Sequence, residues 1–179
     1  MNPIVRPAPA RLVEPAESLR EAFLEMDGEY WAAGEVCDRD FERCDGNFPM
    51  YLRHLAEQSQ REFTYDGLVP QTTFWLMHTG GTLLGTSRLR HYLTAQLEHE
   101  GGHIGYSIRP MQRRKGYGAL ILALTMEQAR ATGLRRVLVT CNKENVASAR
   151  VILKNGGVLE SEVVSMRSGK PVSRYWIEL

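Results

Sequence analysis

Apolar residues recur along this chain at two periods. From Tyr117 the spacing is helical: Tyr117, Leu120, Ile121 and Leu124 share one face, and Ala119, Leu122 and Ala123 make the first half apolar nearly all round. That pattern predicts a well-buried helix, with Arg130 near its C-terminus and Gly133 as the residue that ends it. Asn145 to Lys154 reads as a further helix, stopped by Asn155-Gly156-Gly157. Leu19, Phe23 and Leu24 predict a helix from Pro15 to Met26 that ends at Asp27-Gly28, and Leu52, Leu55 and Ala56 predict another from Pro49 to Phe63.

Elsewhere the period is two. Arg11 to Glu14 reads as a short strand, and Thr72–His78 and Thr82–Tyr92 as a hairpin about Gly80-Gly81. Ile104, Tyr106 and Ile108 fall on one face of a strand that Pro110 ends. Arg136–Thr140 is apolar enough for the middle of a sheet, and Val158–Ser165 with Val172–Leu179 form a last hairpin around Ser168-Gly169-Lys170. Glu29–Phe48 is irregular, a loop with at most a helical turn, serving as pocket lining or as surface connection; Leu93–Gly102 is a polar connection. Residues 1–10, rich in Pro and Ala, predict a loose arm. The order β-α-α-β-β-β-α-β-α-β-β defines a mixed α/β layered fold, and with no repeat or linker we expect one domain over residues 1–179.

Composition narrows the function by exclusion. A formal net charge of +1 gives no global reason to expect nucleic acid or a membrane surface as partner. Three cysteines, Cys37, Cys44 and Cys141, with no CxxC pair speak against a disulfide framework or zinc ribbon. Without a signal-like or membrane-spanning apolar run, the expectation is a cytoplasmic protein. A homodimer is compatible with the sequence but not indicated by it.

The densest chemistry is the turn Arg113-Arg114-Lys115-Gly116-Tyr117-Gly118. A helix beginning on a basic glycine turn presents unpaired N–H groups and the positive end of its dipole to an anion. Taken alone, the turn reads by default as a solvated connection. A second pattern, His99-Glu100-Gly101-Gly102-His103, fits H-E-x-x-H, the zinc hydrolase motif. That chemistry needs both histidines on one helical face, whereas paired glycines disfavour helix by about 2 kcal/mol and an extended chain sets the rings roughly 13 Å apart. No metal is expected. Cys141 as a nucleophile has no evident histidine partner, and Arg174-Tyr175-Trp176 reads either as acceptor lining or as strand packing.

In context the turn becomes specific. Arg-x-x-Gly-x-Gly after a strand ending in Pro and before an apolar helix resembles the signature of the GNAT superfamily of acyl-CoA N-acyltransferases. RRVLVTCNKENVASARVILKNGGVLE resembles that family's next strand and helix, and VPQTTFWLM, GGHIGYSIRP, VILKNGG and RYWIEL are similar to a subgroup of predicted acetyltransferases. The resemblance covers about residues 72–179 well and the N-terminal helices by order only. It implies a central, largely antiparallel sheet with splayed middle strands and helices on both faces. It also implies acetyl-CoA as cosubstrate, with its pyrophosphate on the amides around Arg114, Lys115, Gly116, Tyr117, Gly118 and Ala119, beside Arg113. Ile108 and Arg109 would pair their main chain with the pantetheine arm, and Asn145 and Ser148 would touch coenzyme A; Asn145 also reads as a plain helix N-cap.

The implied reaction is acetyl transfer to a primary amine of a small molecule or peptide. An amine of pKa about 10.4 needs a base, and a thiolate of pKa about 8.5 gains from an acid. The family often places a tyrosine acid where this chain has Ile152, so either water protonates the thiolate or Tyr106 or Tyr175 substitutes; His103, or next Glu100, is the candidate base. The departure at Ile152 leaves a second class open, a non-catalytic acyl-CoA-binding sensor, with the zinc hydrolase as a remote third.

Overall fold

A computed structural model describes residues 8–60 and 69–179. The expected arm therefore lies outside the described residues over 1–7, as does the end of the second predicted helix beyond residue 60. The described strands are β1 (Ala10–Val13), β2 (Gln71–His78), β3 (Leu83–Arg90), β4 (Ile104–Ile108), β5 (Arg136–Asn142), β6 (Val158–Val164) and β7 (Pro171–Glu178). They form an antiparallel sheet ordered β1-β2-β3-β4 and a second ordered β5-β7-β6. The two meet at one bridge, Gly102 with Val139, beyond which β4 and β5 part.

The helices are α1 (Arg20–Ala32), α2 (Arg39–Arg43), α3 (Phe48–Gln58), α4 (Ala95–His99), α5 (Tyr117–Ala131) and α6 (Val146–Lys154). Strand alternation divides the core. Trp75 and Leu83 turn to one face and pack with Phe23, Met26, Tyr30, Phe41, Phe48 and Tyr51 of α1–α3. Leu76 and Leu84 turn to the other face and pack with Tyr117 and Ile121 of α5. Leu122, Val137, Val139, Ile152 and Tyr175 close a further cluster beneath α5 and α6. Tyr175 is thus a core residue, and Trp176 bonds Glu160 through Nε1 and stacks under Arg136.

Three local expectations change. The first helix begins at Arg20 after a 3₁₀ turn over Glu17–Leu19 and runs through Asp27-Gly28 to Ala32. A mid-helix glycine costs about 1 kcal/mol, which the continuing buried face of Phe23, Met26 and Tyr30 outweighs. The irregular Glu29–Phe48 segment holds α2, capped by the Asp38 carboxylate accepting from the Asp40 N–H at 2.8 Å. The polar Leu93–Gly102 connection holds α4, capped by Thr94.

Candidate functional site

The feature that organises the site is the gap between β4 and β5. At its closed end the His103 N–H donates to the Leu138 carbonyl at 2.7 Å. Toward Ile108 and Asn142 no ladder joins the strands. On the other edge of β4, Arg109 N–H donates to Leu84 and Arg90 N–H to the His103 carbonyl, so odd-numbered residues bond β3. By antiparallel alternation, the main-chain groups of Tyr106 and Ile108 point into the gap.

Arg109 does not share that orientation. Its N–H is spent on Leu84 O (2.9 Å) and its carbonyl accepts from Gln112 N–H (2.8 Å). Its buried guanidinium donates to Glu25 (2.8 Å) and Glu29 (2.7 Å), pinning α1 beneath the end of β4. The expectation that its main chain meets the pantetheine arm is therefore corrected: its pairing partner is β3, and its side chain is a strut. Arg113 is also a strut, with a bidentate pair to Glu35 at 2.7 and 2.6 Å and an Nε–H donated to the Ile108 carbonyl at 3.0 Å.

Beyond Arg113 the chain turns sharply. Arg114 (φ 62°) and Gly116 (φ 88°) both adopt the left-handed conformation, and α5 starts at Tyr117. The first intrahelical bond runs from Leu120 N–H to Gly116 O. The N–H groups of Arg114, Lys115, Gly116, Tyr117, Gly118 and Ala119 meet no acceptor among the described residues. Consecutive unpaired amides with left-handed residues among them form a concave anion-binding nest. Arg114 and Lys115 are exposed around it, with Lys115 bonded only to Gln112, while the Tyr117 side chain is buried in the core. At Gly118 a Cβ would lie 3.1 Å from Val151, so α6 can pack close against the start of α5.

That packing brings α6 over the gap. Asn145 caps α6 by accepting from Ser148 N–H at 3.0 Å, and the Ser148 hydroxyl bonds Tyr106 Oη at 3.0 Å. Burial raises the Tyr106 pKa, partly opposed by the Ser148 bond, so the phenol stays protonated at neutral pH. Ile152 is fully buried in the core. Cys141 is a buried free thiol whose pKa burial also raises.

Glu100 and His103 lie on opposite sides of the Gly102 bridge and differ in exposure. Glu100 is half-buried; its carboxylate accepts from the Ser165 hydroxyl at 2.9 Å, and the next amide, Gly101 N–H, donates to Thr140 Oγ1 at 3.2 Å. This sets the Glu100 carboxylate against Ser165, next to Thr140 of β5. Gly102 (φ 66°) makes the turn; a Cβ there would meet Leu138 O at 2.4 Å, and Arg90 Nη1 holds the carbonyls of Gly101 and Gly102. His103 is 7% exposed, and its Nδ1 accepts from Leu138 N–H at 2.9 Å. Burial, reinforced by Arg90 and Arg136, pushes its pKa down to about 4. As candidate base it is corrected by this geometry: the acceptor nitrogen is already bonded, and the ring lies at the closed end of the gap. His99 bonds Val164 O at 3.0 Å, so the two histidines of H-E-x-x-H serve separate contacts. Among the described residues no group of three or more His, Cys, Asp or Glu could hold a metal.

On the face of β4 that carries Gly105 and Ser107 lies a cavity of about 180 Å³, lined by Cys37, Asp38, Arg39, Thr86, Arg88, Gly105, Tyr106 and Ser107. Tyr30 Oη donates to Ser107 Oγ at 3.0 Å, tying α1 to its floor. The gap thus has the anion nest at its open end and a separate polar cavity across β4.

Comparison with known proteins adds the family. A family model described as an acetyltransferase (GNAT) domain matches residues 19–158. The chain belongs to the GNAT acetyltransferase family. Curated proteins yield no match. Among solved structures, it is similar to the Salmonella typhimurium acetyltransferase that modifies the N-terminal serine of 50S ribosomal protein L7/L12, at 16% identity and TM-score 0.67 over 99% of this chain and 98% of that one. It is likewise similar to the microcin C7 self-immunity acetyltransferase MccE, whose structure holds acetyl-CoA and AMP, at 13% identity and TM-score 0.70 over 95% and 92%. A Vibrio cholerae spermidine N-acetyltransferase chimera shares 14% identity, with TM-score 0.66 over 94% and 95%. At these identities the likeness carries the fold, and the family match carries the enzyme class, an acetyl-CoA-dependent N-acetyltransferase.

Within this GNAT frame, several site-forming residues had no signal in the sequence. Glu25 and Glu29 meet Arg109 across 84 and 80 positions, and Asp38 meets Arg88 across 50. Ser165 meets Glu100 across 65. Only the Asp38-x-Asp40 spacing, an N-cap with an acid in the first turn, marked α2 locally.

Proposed function

We propose that this protein transfers the acetyl group of acetyl-CoA directly to a primary amine held in the cavity beside Gly105. The observation that carries the reading is the run of amides from Arg114 to Ala119, unpaired among the described residues, at the open end of the β4–β5 gap. It fits a pyrophosphate in shape and charge, with Arg114 and Lys115 beside it. The gap-facing main chain of Tyr106 and the Ile108 N–H would carry the pantetheine arm along β4, the Ile108 carbonyl already accepting from Arg113, and Asn145 and Ser148 would border it from α6.

In the reaction Glu100 takes the proton of the acceptor ammonium, directly or through water, since an alkyl ammonium of pKa about 10.4 is no nucleophile. The amine nitrogen then attacks the thioester carbonyl, a C–N bond forms, the C–S bond breaks, and the second nitrogen proton passes to water to leave the neutral amide. A gap-facing main-chain N–H stabilises the developing oxyanion. The Tyr106 hydroxyl, oriented by Ser148, returns a proton to the leaving thiolate. With Ile152 buried in the core, Tyr106 supplies from a strand the phenol that the family often draws from the helix. Thiol release from acetyl-CoA across a panel of primary amines tests the proposal; tight acetyl-CoA binding with no turnover on any amine would favour a sensor instead.

A further inference from the structure

At the acceptor cavity the one lining carboxylate, Asp38, is already spent, as is Asp40 behind it, which leaves the Arg88 guanidinium as a fixed donor in the wall. Asp38 accepts from Asp40 N–H (2.8 Å), from Tyr51 Oη (2.9 Å) and from Arg88 Nη2. Asp40 accepts from Gln58 (3.2 Å) and Arg43 (3.1 Å) and lies 3.0 Å from Arg88 Nη2. Both acids are buried, at 6% and 2% exposure. Burial works to raise the Asp40 pKa, yet Arg88, Gln58 and other partners hold it below the usual carboxylate range.

Arg88 is committed on one nitrogen only. Its Nε and Nη1 meet no acceptor among the described residues, and the side chain, 26% exposed, lines the cavity. Two buried carboxylates hold the guanidinium still, so its free edge is preorganised for a ligand oxygen. Directly across the ladder is Gly105, where an added Cβ would meet nothing within 4 Å. The space beside the guanidinium is therefore open.

We propose that Arg88 reads a carbonyl oxygen next to the reacting amine, so that the acceptor is an α-amino amide or peptide N-terminus rather than a polyamine. This rests on the acetyl-transfer reading above. A polyamine brings only ammonium groups and methylenes, setting donors and positive charge against the free edge of Arg88. Two carboxylates already offset the arginine charge, so a neutral carbonyl oxygen suits it better than a second anion.

The test compares kcat/KM for alaninamide, isopropylamine and spermidine with acetyl-CoA, each referred to its free-base concentration. Alaninamide and isopropylamine share a branched amine and differ in the carbonyl. Alaninamide should be favoured at least about tenfold over both. Arg88→Lys keeps a cation beside the carboxylates but loses the fork; it should erase that preference with acetyl-CoA affinity unchanged. Gly105→Val, which leaves the ion pairs alone, should fill the cavity and remove alaninamide turnover, again with acetyl-CoA still bound. Equal or better use of isopropylamine or spermidine, a preference retained in Arg88→Lys, or full activity in Gly105→Val would each overturn the inference. No turnover on any amine with acetyl-CoA bound is a different result and would overturn the acetyl-transfer reading itself.

Discussion

Tyr106 Oη and Ser148 Oγ lie 3.0 Å apart, joining β4 to the first turn of α6 across the gap. If this phenol is the acid, Tyr106→Phe should lower kcat by about 10²-fold while acetyl-CoA affinity holds. Ser148→Ala should have a smaller effect, since it disturbs the orientation of the phenol rather than removing it. Steady-state kinetics with calorimetric affinities separates these outcomes; an unchanged kcat in Tyr106→Phe would remove it from the reaction.

His103 has a structural task. Its Nδ1 satisfies the buried Leu138 N–H, so His103→Ala should cost about 1–3 kcal/mol in denaturant unfolding. The rate–pH profile should keep its shape, because a group titrating near 4 contributes no inflection around neutrality. Stability has a defined sign. The unfolded imidazole, with a pKa of about 6.5, binds its proton before the folded one does. Stability is thus full above about 6.5 and falls as pH drops toward 4. His103→Asn should flatten that acid limb.

These two residues mark how far the sequence could be read. Tyr106 and His103 sit in one stretch, HIGYS; period two put Tyr106 on one face with Ile104 and Ile108, and the fold turns that face toward α5. Strand periodicity and glycine stops located β2–β7, α5 and α6 closely, because each is set by local pattern. What could not be read was set by distant partners. The pairing of Arg109 with Glu25 and Glu29, and the capture of His103 Nδ1 by Leu138, follow from chain reversals that no local window contains. The helical continuation through Gly28 likewise depends on a tertiary face, Met26 and Tyr30 against Trp75, that overrides a local stop signal.

Glu100 is placed by a turn that requires glycine, and that can be tested apart from its chemistry. Glu100→Gln should lower kcat at least tenfold with little change in melting temperature, since the amide still accepts from Ser165 but no longer takes a proton. Gly102→Ala should lower both stability and rate, because a Cβ would stand 2.4 Å from Leu138 O on a backbone at φ 66°. A normal rate in Glu100→Gln would require another base.

The central claim, that the turn from Arg114 to Ala119 holds the coenzyme A pyrophosphate, meets its most direct test in calorimetric titration of acetyl-CoA into three proteins. Gly116→Asn and Gly116→Asp place nearly isosteric side chains on the same left-handed residue, so they share any backbone strain and differ in charge. Gly116→Asn should bind acetyl-CoA measurably but more weakly and Gly116→Asp not detectably, with circular dichroism unchanged in both. Wild-type affinity in Gly116→Asp would contradict the claim.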